Sequence, residues 1–338
     1  MKKILIGALL LTGCALPVMA CTGISATAKD GGYVQARTIE WGDSYLPSQY
    51  VVIPCGHEMI SYTPKGMNGA KFRARYGVVG LSIVLKDFVV EGLNEAGLSA
   101  GLFYFPHYGN YPAYDAKQNT RTVADLQLVA WMLSQFSTIE EIKAAMQDIR
   151  VVSVDTTGAR STVHWRIGDA NGRQVVLEFV DGVPCFYENE IGVLTNSPGF
   201  PWQMTNLNNY VNLYPGGAEA HQLGGVTIFP FGAGSGFQGI PGDVTPPSRF
   251  VRAAFYKATA PQCATAYDAV LQSFHLLNYI DIPIGIEHAA GHAPMIPTAY
   301  NSNIRCIDMK QIDFSKVKYQ AFPLDKELVQ PIEEIIVK

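Results

Sequence analysis

Val18-Met19-Ala20-Cys21-Thr22-Gly23 is the stretch on which the reading of this chain turns. Upstream lie Lys2 and Lys3, an apolar run from Ile4 to Leu16 and the helix-breaking Pro17. Small residues follow at the cut, the pattern of a cleaved secretory leader over residues 1–20. Cleavage there makes Cys21 the first residue of the mature chain. A terminal cysteine carries a nucleophile and a base on one residue, because the free α-amine has an unperturbed pKa of about 7.7–8.0. A second reading competes. Leu11-Thr12-Gly13-Cys14 has the form of a lipobox, in which Cys14 is acylated and retained and Cys21 is an internal residue of a short tether. The leader by itself leaves both open.

Removing twenty of the 338 residues leaves 318, a size suited to one two-layered unit of helices and sheets, 21–338. Hydrophobic residues are 48% and charged residues 16%, ample material for a core. The net charge of −4 becomes −6 when Lys2 and Lys3 are lost, and no basic run offers a nucleic-acid surface. Beyond the leader no apolar stretch approaches the ~18 residues of a membrane span. The expected location is outside the inner membrane, periplasmic or secreted. Six cysteines are present: Cys14, Cys21, Cys55, Cys185, Cys263 and Cys306. Cleavage leaves five, scattered without CxxC spacing, and they read as buried, unbridged thiols. Glu287, His288 and His292 are spaced for a metal on a helix, but Gly285 and Gly291 argue for a loop. Gly234-Ser235-Gly236-Phe237-Gln238-Gly239 fits GxGxxG, yet Pro241 follows at once and no strand–helix setting surrounds it. Neither cofactor nor metal is expected.

Tyr33–Trp41 and Ala74–Val84 read as strands, and Thr162–Gly168 with Gln174–Val180 as a hairpin turning at Asn171-Gly172. Apolar spacing predicts a helix capped by Thr122 and running to Phe136, then another opened by Ser137 with Glu140. Arg249–Ala258 and Ala264–Asn278 form a second helical pair. Runs of strands broken by helix pairs suggest sheets covered by helices rather than a βαβ repeat. Gly224–Pro247, crowded with Gly and Pro, reads as a long surface excursion.

Several motifs in consistent order resemble the choloylglycine hydrolases, the bile salt hydrolases and penicillin V acylases among the N-terminal-nucleophile hydrolases. They are Cys21-Thr22-Gly23, Arg37-Thr38-Ile39-Glu40-Trp41, Gly92-Leu93-Asn94-Glu95-Ala96-Gly97-Leu98, Leu194-Thr195-Asn196-Ser197-Pro198, Trp202 to Tyr210, and Gly239 to Asp243 with Ser248-Arg249-Phe250. The resemblance favours Cys21 as the terminus. It implies an α+β, four-layer αββα sandwich and hydrolysis of a carbon–nitrogen amide through a thioester on Cys21. Arg37 is implied to favour the thiolate, with an ion pair to Glu40 as its alternative duty. Glu40 stands where better-known bile salt hydrolases carry Asp, thought to hold the terminal amine. Asn94 and Asn196 match positions that donate to the oxyanion, and Arg249 matches a site arginine.

The resemblance implies a small-molecule substrate, a glycine- or taurine-conjugated bile acid, with penicillin V as the alternative. The preference rests on Asn94, since penicillin V acylases often carry Tyr at the matching place. The aromatic run Phe103 to Tyr108 corresponds to a loop at the pocket mouth. The longer Gly- and Pro-rich stretch between Asn209 and Arg249 resembles a segment that reaches a neighbouring subunit, which implies a homotetramer. A reading from another class is a non-catalytic sterol-binding lipoprotein anchored through Cys14.

Overall fold

The computed structural model describes residues 19–41, 48–154, 162–282, 304–324 and 335–336. The leader and Cys14 lie outside the described residues, except for Met19 and Ala20. Strands β1 (Met19–Thr27) to β8 are β2 (Tyr33–Trp41), β3 (Ser48–Ile53), β4 (Glu58–Ile60), β5 (Lys71–Arg73), β6 (Val78–Ile83), β7 (Val89–Asn94) and β8 (Ser99–Tyr104). Then come β9 (Thr122–Ala124), α1 (Leu128–Gln135), α2 (Ile139–Ala145), β10 (Arg150–Val152), β11 (Val163–Gly168), β12 (Gln174–Val180), β13 (Val183–Glu188) and β14 (Val193–Leu194). The remainder are α3 (Phe200–Asn206), β15 (His221–Leu223), β16 (Val226–Ile228), α4 (Pro246–Thr259), α5 (Ala266–Asn278) and β17 (Gln320–Pro323).

Two sheets face each other. The smaller has the order β14-β1-β2, and the larger, of eight antiparallel strands, runs β13-β12-β11-β8-β7-β6-β3-β17. Helices α4 and α5 pack on β1 and β2, while α1 packs on β7 and β8. The layers are therefore helix, sheet, sheet, helix: the expected αββα sandwich. Strand β11 shows how the sequence builds it. Its six residues are all buried, and the two-residue period divides them between two interiors. Val163, Trp165 and Ile167 join Leu128, Met132, Leu133 and Ile142 in the core beneath α1 and α2. His164 and Arg166 point the other way: the imidazole meets the Thr195 carbonyl and the guanidinium meets the carbonyls of Ile24 and Ala36. The core under α4 and α5 joins Ile24, Val193 and Leu194 to Phe250, Ala253 and Leu277.

The Asn171-Gly172 hairpin forms as read, with Gly172 at φ +85° supplying the left-handed turn residue. Other boundaries move. Thr122 does not cap a helix; it lies in β9, paired in parallel with β10, and the helix begins at Leu128. The capping box belongs to Thr138 and Glu141 rather than Ser137 and Glu140, although Ser137 also donates to Glu141. The strand read over 74–84 shortens to Val78–Ile83. Helix α4 starts three residues before Arg249, with Pro246 and Pro247 in its first turn, where a missing N–H breaks no helical bond. Cys21 is buried, but Cys55, Cys185 and Cys263 are half-buried and Cys306 is exposed. These five described thiols are free.

Candidate active site

The site is assembled where β1 begins. In the β1–β2 ladder Cys21 lies opposite Ile39, Gly23 opposite Arg37 and Ala20 opposite Glu40. Alternation along β1 puts Cys21 and Gly23 on one face, the face that looks at β8 and β11. Three of Cys21's groups are held at once. Its main-chain N–H donates to Asn196 Oδ1 at 3.0 Å, its carbonyl accepts from Arg249 Nη1 at 2.7 Å, and the Tyr104 main-chain N–H reaches its thiol.

Arg249 is fully buried near the start of α4, a position where the helix dipole disfavours a cation. Its hydrogen bonds account for its presence there. Besides Cys21 it donates to Thr22 Oγ1 and Asn196 Oδ1, each at 2.7 Å, and to the Val244 carbonyl at 2.9 Å. One guanidinium thus ties the start of β1 to the Asn196 turn. Asn196 in turn donates through Nδ2 to the Tyr104 carbonyl at 2.8 Å. Its second amide hydrogen has no partner among the described residues.

Arg37 donates to the Leu102 carbonyl at 2.5 Å and to Glu91 Oε2 at 3.4 Å, and lies 4.0 Å over the Phe103 ring. Its ion partner is Glu91, not Glu40; the same carboxylate receives Arg166 Nη2 at 3.0 Å. This charged layer explains Gly23. A Cβ there would come within 2.7 Å of both Arg166 Nη1 and the Phe103 ring. Gly23→Ala is expected to lower stability by about 1–3 kcal/mol, the range for overpacking, as measured by urea unfolding. An unchanged midpoint would mean that the two sheets are not this close.

Burial dominates the Cys21 thiol and pushes its pKa up; Arg37 and Arg249 pull it down, Glu40 pushes it up, and the Tyr104 N–H pulls it down. The net rise keeps the sulfur protonated at neutral pH. Attack therefore needs an adjacent proton acceptor.

Glu40 is half-buried with both carboxylate oxygens shut off from solvent, and neither has a hydrogen-bond partner of good geometry among the described residues. Desolvation raises its pKa to about 7, against the pull of Thr38, Arg249 and Arg37 and with a push from Asp281. A carboxyl raised on folding binds its proton more tightly in the native state. Its contribution is intact below the unfolded value near 4.5 and is lost as pH rises towards 7. With Ala20 still joined to Cys21, stability is expected to fall by about 3 kcal/mol across that window. Glu40→Gln should flatten that part of the profile in chemical denaturation. An identical slope in the variant would show that Glu40 is not the titrating group.

Asn94 is elsewhere. Tyr104 stands at one end of the β7–β8 hairpin, by Cys21, and Asn94 stands at the other, where the turn is. Its Nδ2 donates to the Leu133 and Phe136 carbonyls at 2.8 and 2.7 Å, and its Oδ1 accepts from the N–H groups of Ala96 and Leu98. Every hydrogen it can offer is used to join the turn to α1. The group beside the sulfur that the sequence reading missed is the Tyr104 main-chain N–H. The donors available for a developing oxyanion are thus Asn196 Nδ2 and Tyr104 N. Glu287, His288 and His292 lie outside the described residues.

A family model described as linear amide C–N hydrolases, choloylglycine hydrolase family, matches residues 21–324. A bile salt hydrolase/transferase from Clostridium perfringens is 31% identical over 264 residues, 77% of this chain and 78% of that protein. A penicillin V acylase from Pectobacterium atrosepticum is 24% identical over 239 residues, 66% of this chain and 55% of that protein. Among solved structures, a variant of the conjugated bile acid hydrolase from Clostridium perfringens superposes with a TM-score of 0.77 at 25% identity, covering 94% of this chain and 100% of that one.

Proposed function

This chain belongs to the choloylglycine hydrolase family of linear amide C–N hydrolases, and on that premise we propose that it hydrolyses the amide of glycine- or taurine-conjugated bile acids through Cys21. The observation that carries the reading is the grip on Cys21: its nitrogen, carbonyl and thiol are each held by Asn196, Arg249 or Tyr104. Removal of residues 1–20, on export, frees the α-amine at the point where Asn196 already holds the nitrogen. That amine takes the thiol proton, and the thiolate attacks the substrate carbonyl. Asn196 Nδ2 and the Tyr104 N–H donate to the oxyanion, a charge-developing position where fixed donors act most strongly. Collapse of the intermediate breaks the C–N bond, and the ammonium returns its proton to the departing glycine or taurine amine. Water, giving its proton to the amine, then attacks the thioester and releases the free acid and the thiol. Arg37 and Arg249 favour the thiolate throughout.

The bile-acid assignment draws on the 31% identical relative, whose printed name is bile salt hydrolase/transferase. A specific observation favours penicillin V as the second reading. Tyr104 occupies the place beside the nucleophile that had been given to Asn94, and tyrosine is what the resemblance implied for penicillin V acylases. Turnover of glycocholate and of penicillin V by one preparation separates the two. Faster glycocholate hydrolysis, compared as kcat/KM, is expected; a preference for the penicillin overturns the choice.

The partner in assembly is a second copy of the chain. Hairpin β15–β16 stands out from the body with Leu223, Val226 and Phe229 exposed. A homotetramer is expected by light scattering, and deletion of residues 218–231 should lower the assembly's mass. A monomeric parent chain would contradict this.

A further inference from the structure

We infer that His164 and Glu178 form a buried hydrogen-bonded pair that positions the Asn196 turn. The His164 ring is wholly buried and stacks on Phe105, with centroids 4.2 Å apart and planes within 7°. Its Nδ1 lies 3.0 Å from Glu178 Oε1 and its Nε2 lies 3.0 Å from the Thr195 carbonyl oxygen.

Both partners are acceptors. A carbonyl oxygen has no proton to give, so Nε2 must carry one to meet Thr195. With that proton in place, Nδ1 of a neutral ring would turn a lone pair towards the carboxylate. A second proton shared between Nδ1 and Oε1 removes the repulsion, whichever of the two atoms carries it. The pair is then a neutral unit overall, which is how buried charge is tolerated.

The consequence lies one residue further on. Thr195 precedes Asn196, and Glu178 Oε1 also receives the Phe200 N–H at 2.8 Å. Gly199 is pressed against the same carboxylate, where an added Cβ would sit 3.1 Å from Glu178 Oε2. The pair therefore holds the turn from Thr195 to Phe200 at both ends, and Asn196 lies between them. Ser197 Oγ fixes the middle by donating to the Pro106 carbonyl at 2.7 Å. Neither His164 nor Glu178 touches Cys21 in these hydrogen bonds. Both act through Asn196, so they are positioning residues. This inference rests on the proposed role of Asn196, but its structural part stands alone.

Three readouts test it. Nitrogen-15 NMR of histidine-labelled protein should show a proton on His164 Nε2, held by the Thr195 carbonyl; an unprotonated Nε2 overturns the bond to the turn whether or not the protein is active. The double variant His164→Phe/Glu178→Leu replaces the pair with apolar groups, which a core of this kind tolerates better than one charge left alone. It should unfold cooperatively near the parent midpoint, while amides from 195 to 203 lose hydrogen-exchange protection and those of β11 and β12 keep theirs. Unchanged protection of that segment removes the positioning role without reference to any substrate. If the double variant fails to fold, His164→Gln and Glu178→Gln carry the same exchange measurement. On whichever substrate the parent hydrolyses, kcat should fall about 100-fold with KM nearly unchanged, the cost of misplacing a catalytic donor by about an ångström. A kcat within threefold of the parent, with exchange protection lost, would detach the pair from catalysis and place the fault in the role given to Asn196.

Discussion

Cys21→Ala should fold as the parent does and lose amide turnover by at least about four orders of magnitude, the scale on which single nucleophile removals act. The side chain removed is small and buried, and the neighbours gripping Cys21 hold its main chain, which alanine keeps. Thermal unfolding should therefore shift little while product formation disappears. Cys21→Ser retains a hydroxyl, but one far less acidic than a thiol in a site that already disfavours the anion, so it should lose most activity as well. Activity in the alanine variant above a few per cent would exclude the thiol as nucleophile.

Asn196→Ala should lower kcat by about 100- to 1000-fold with a smaller effect on KM, because its donor matters most when charge develops on the substrate oxygen. The loss goes beyond one hydrogen bond. Asn196 Oδ1 also receives both the Cys21 nitrogen and Arg249 Nη2, so the variant loosens the nucleophile and leaves the arginine short of an acceptor. Asn94→Ala should behave in the opposite manner. Four side-chain hydrogen bonds disappear, two of them fully buried, including those that tie the β7–β8 turn to the carbonyls of Leu133 and Phe136, so the melting temperature should drop markedly while kcat of the folded protein stays near that of the parent. Equal losses of kcat in the two variants would contradict the separation seen between them.

That contrast shows where the sequence was legible. Strand period and turn chemistry are local, so Tyr33–Trp41, the Asn171-Gly172 hairpin and the helices around Arg249 and Ala266 could be read directly. Cys21, Arg37, Glu40, Asn196 and Arg249 come together because the ladder register and α4 bring them there, and motif order had already grouped them. Asn94 shared that grouping without sharing the place. A side-chain amide can serve a turn as readily as an oxyanion, and only the fold shows which end of a hairpin it occupies. The Tyr104 N–H was invisible for a different reason: every residue but proline has one, so no residue type announces it. Glu178 did leave a trace, as a lone acid inside Val175-Val176-Leu177-Glu178-Phe179. Its partner fourteen residues earlier, on the neighbouring strand, needed the sheet to be seen.

Glu40 illustrates how a departure in sequence acquires physical meaning. Its carboxyl stands opposite Ala20, without a good hydrogen-bond partner among the described residues, on the strand paired with the one that carries the Ala20–Cys21 bond whose cleavage is proposed. A new ammonium formed at Cys21 would supply a nearby positive charge, so processing should pull the Glu40 pKa down and remove the decline in stability between pH 4.5 and 7 described above.

All of the proposed chemistry depends on the amino group of Cys21 being free. Intact mass and N-terminal sequencing of protein recovered from the native host address this directly. The account predicts a chain that begins with unmodified Cys21. A diacylglyceryl mass on Cys14, or any other blocked or displaced start, would contradict it.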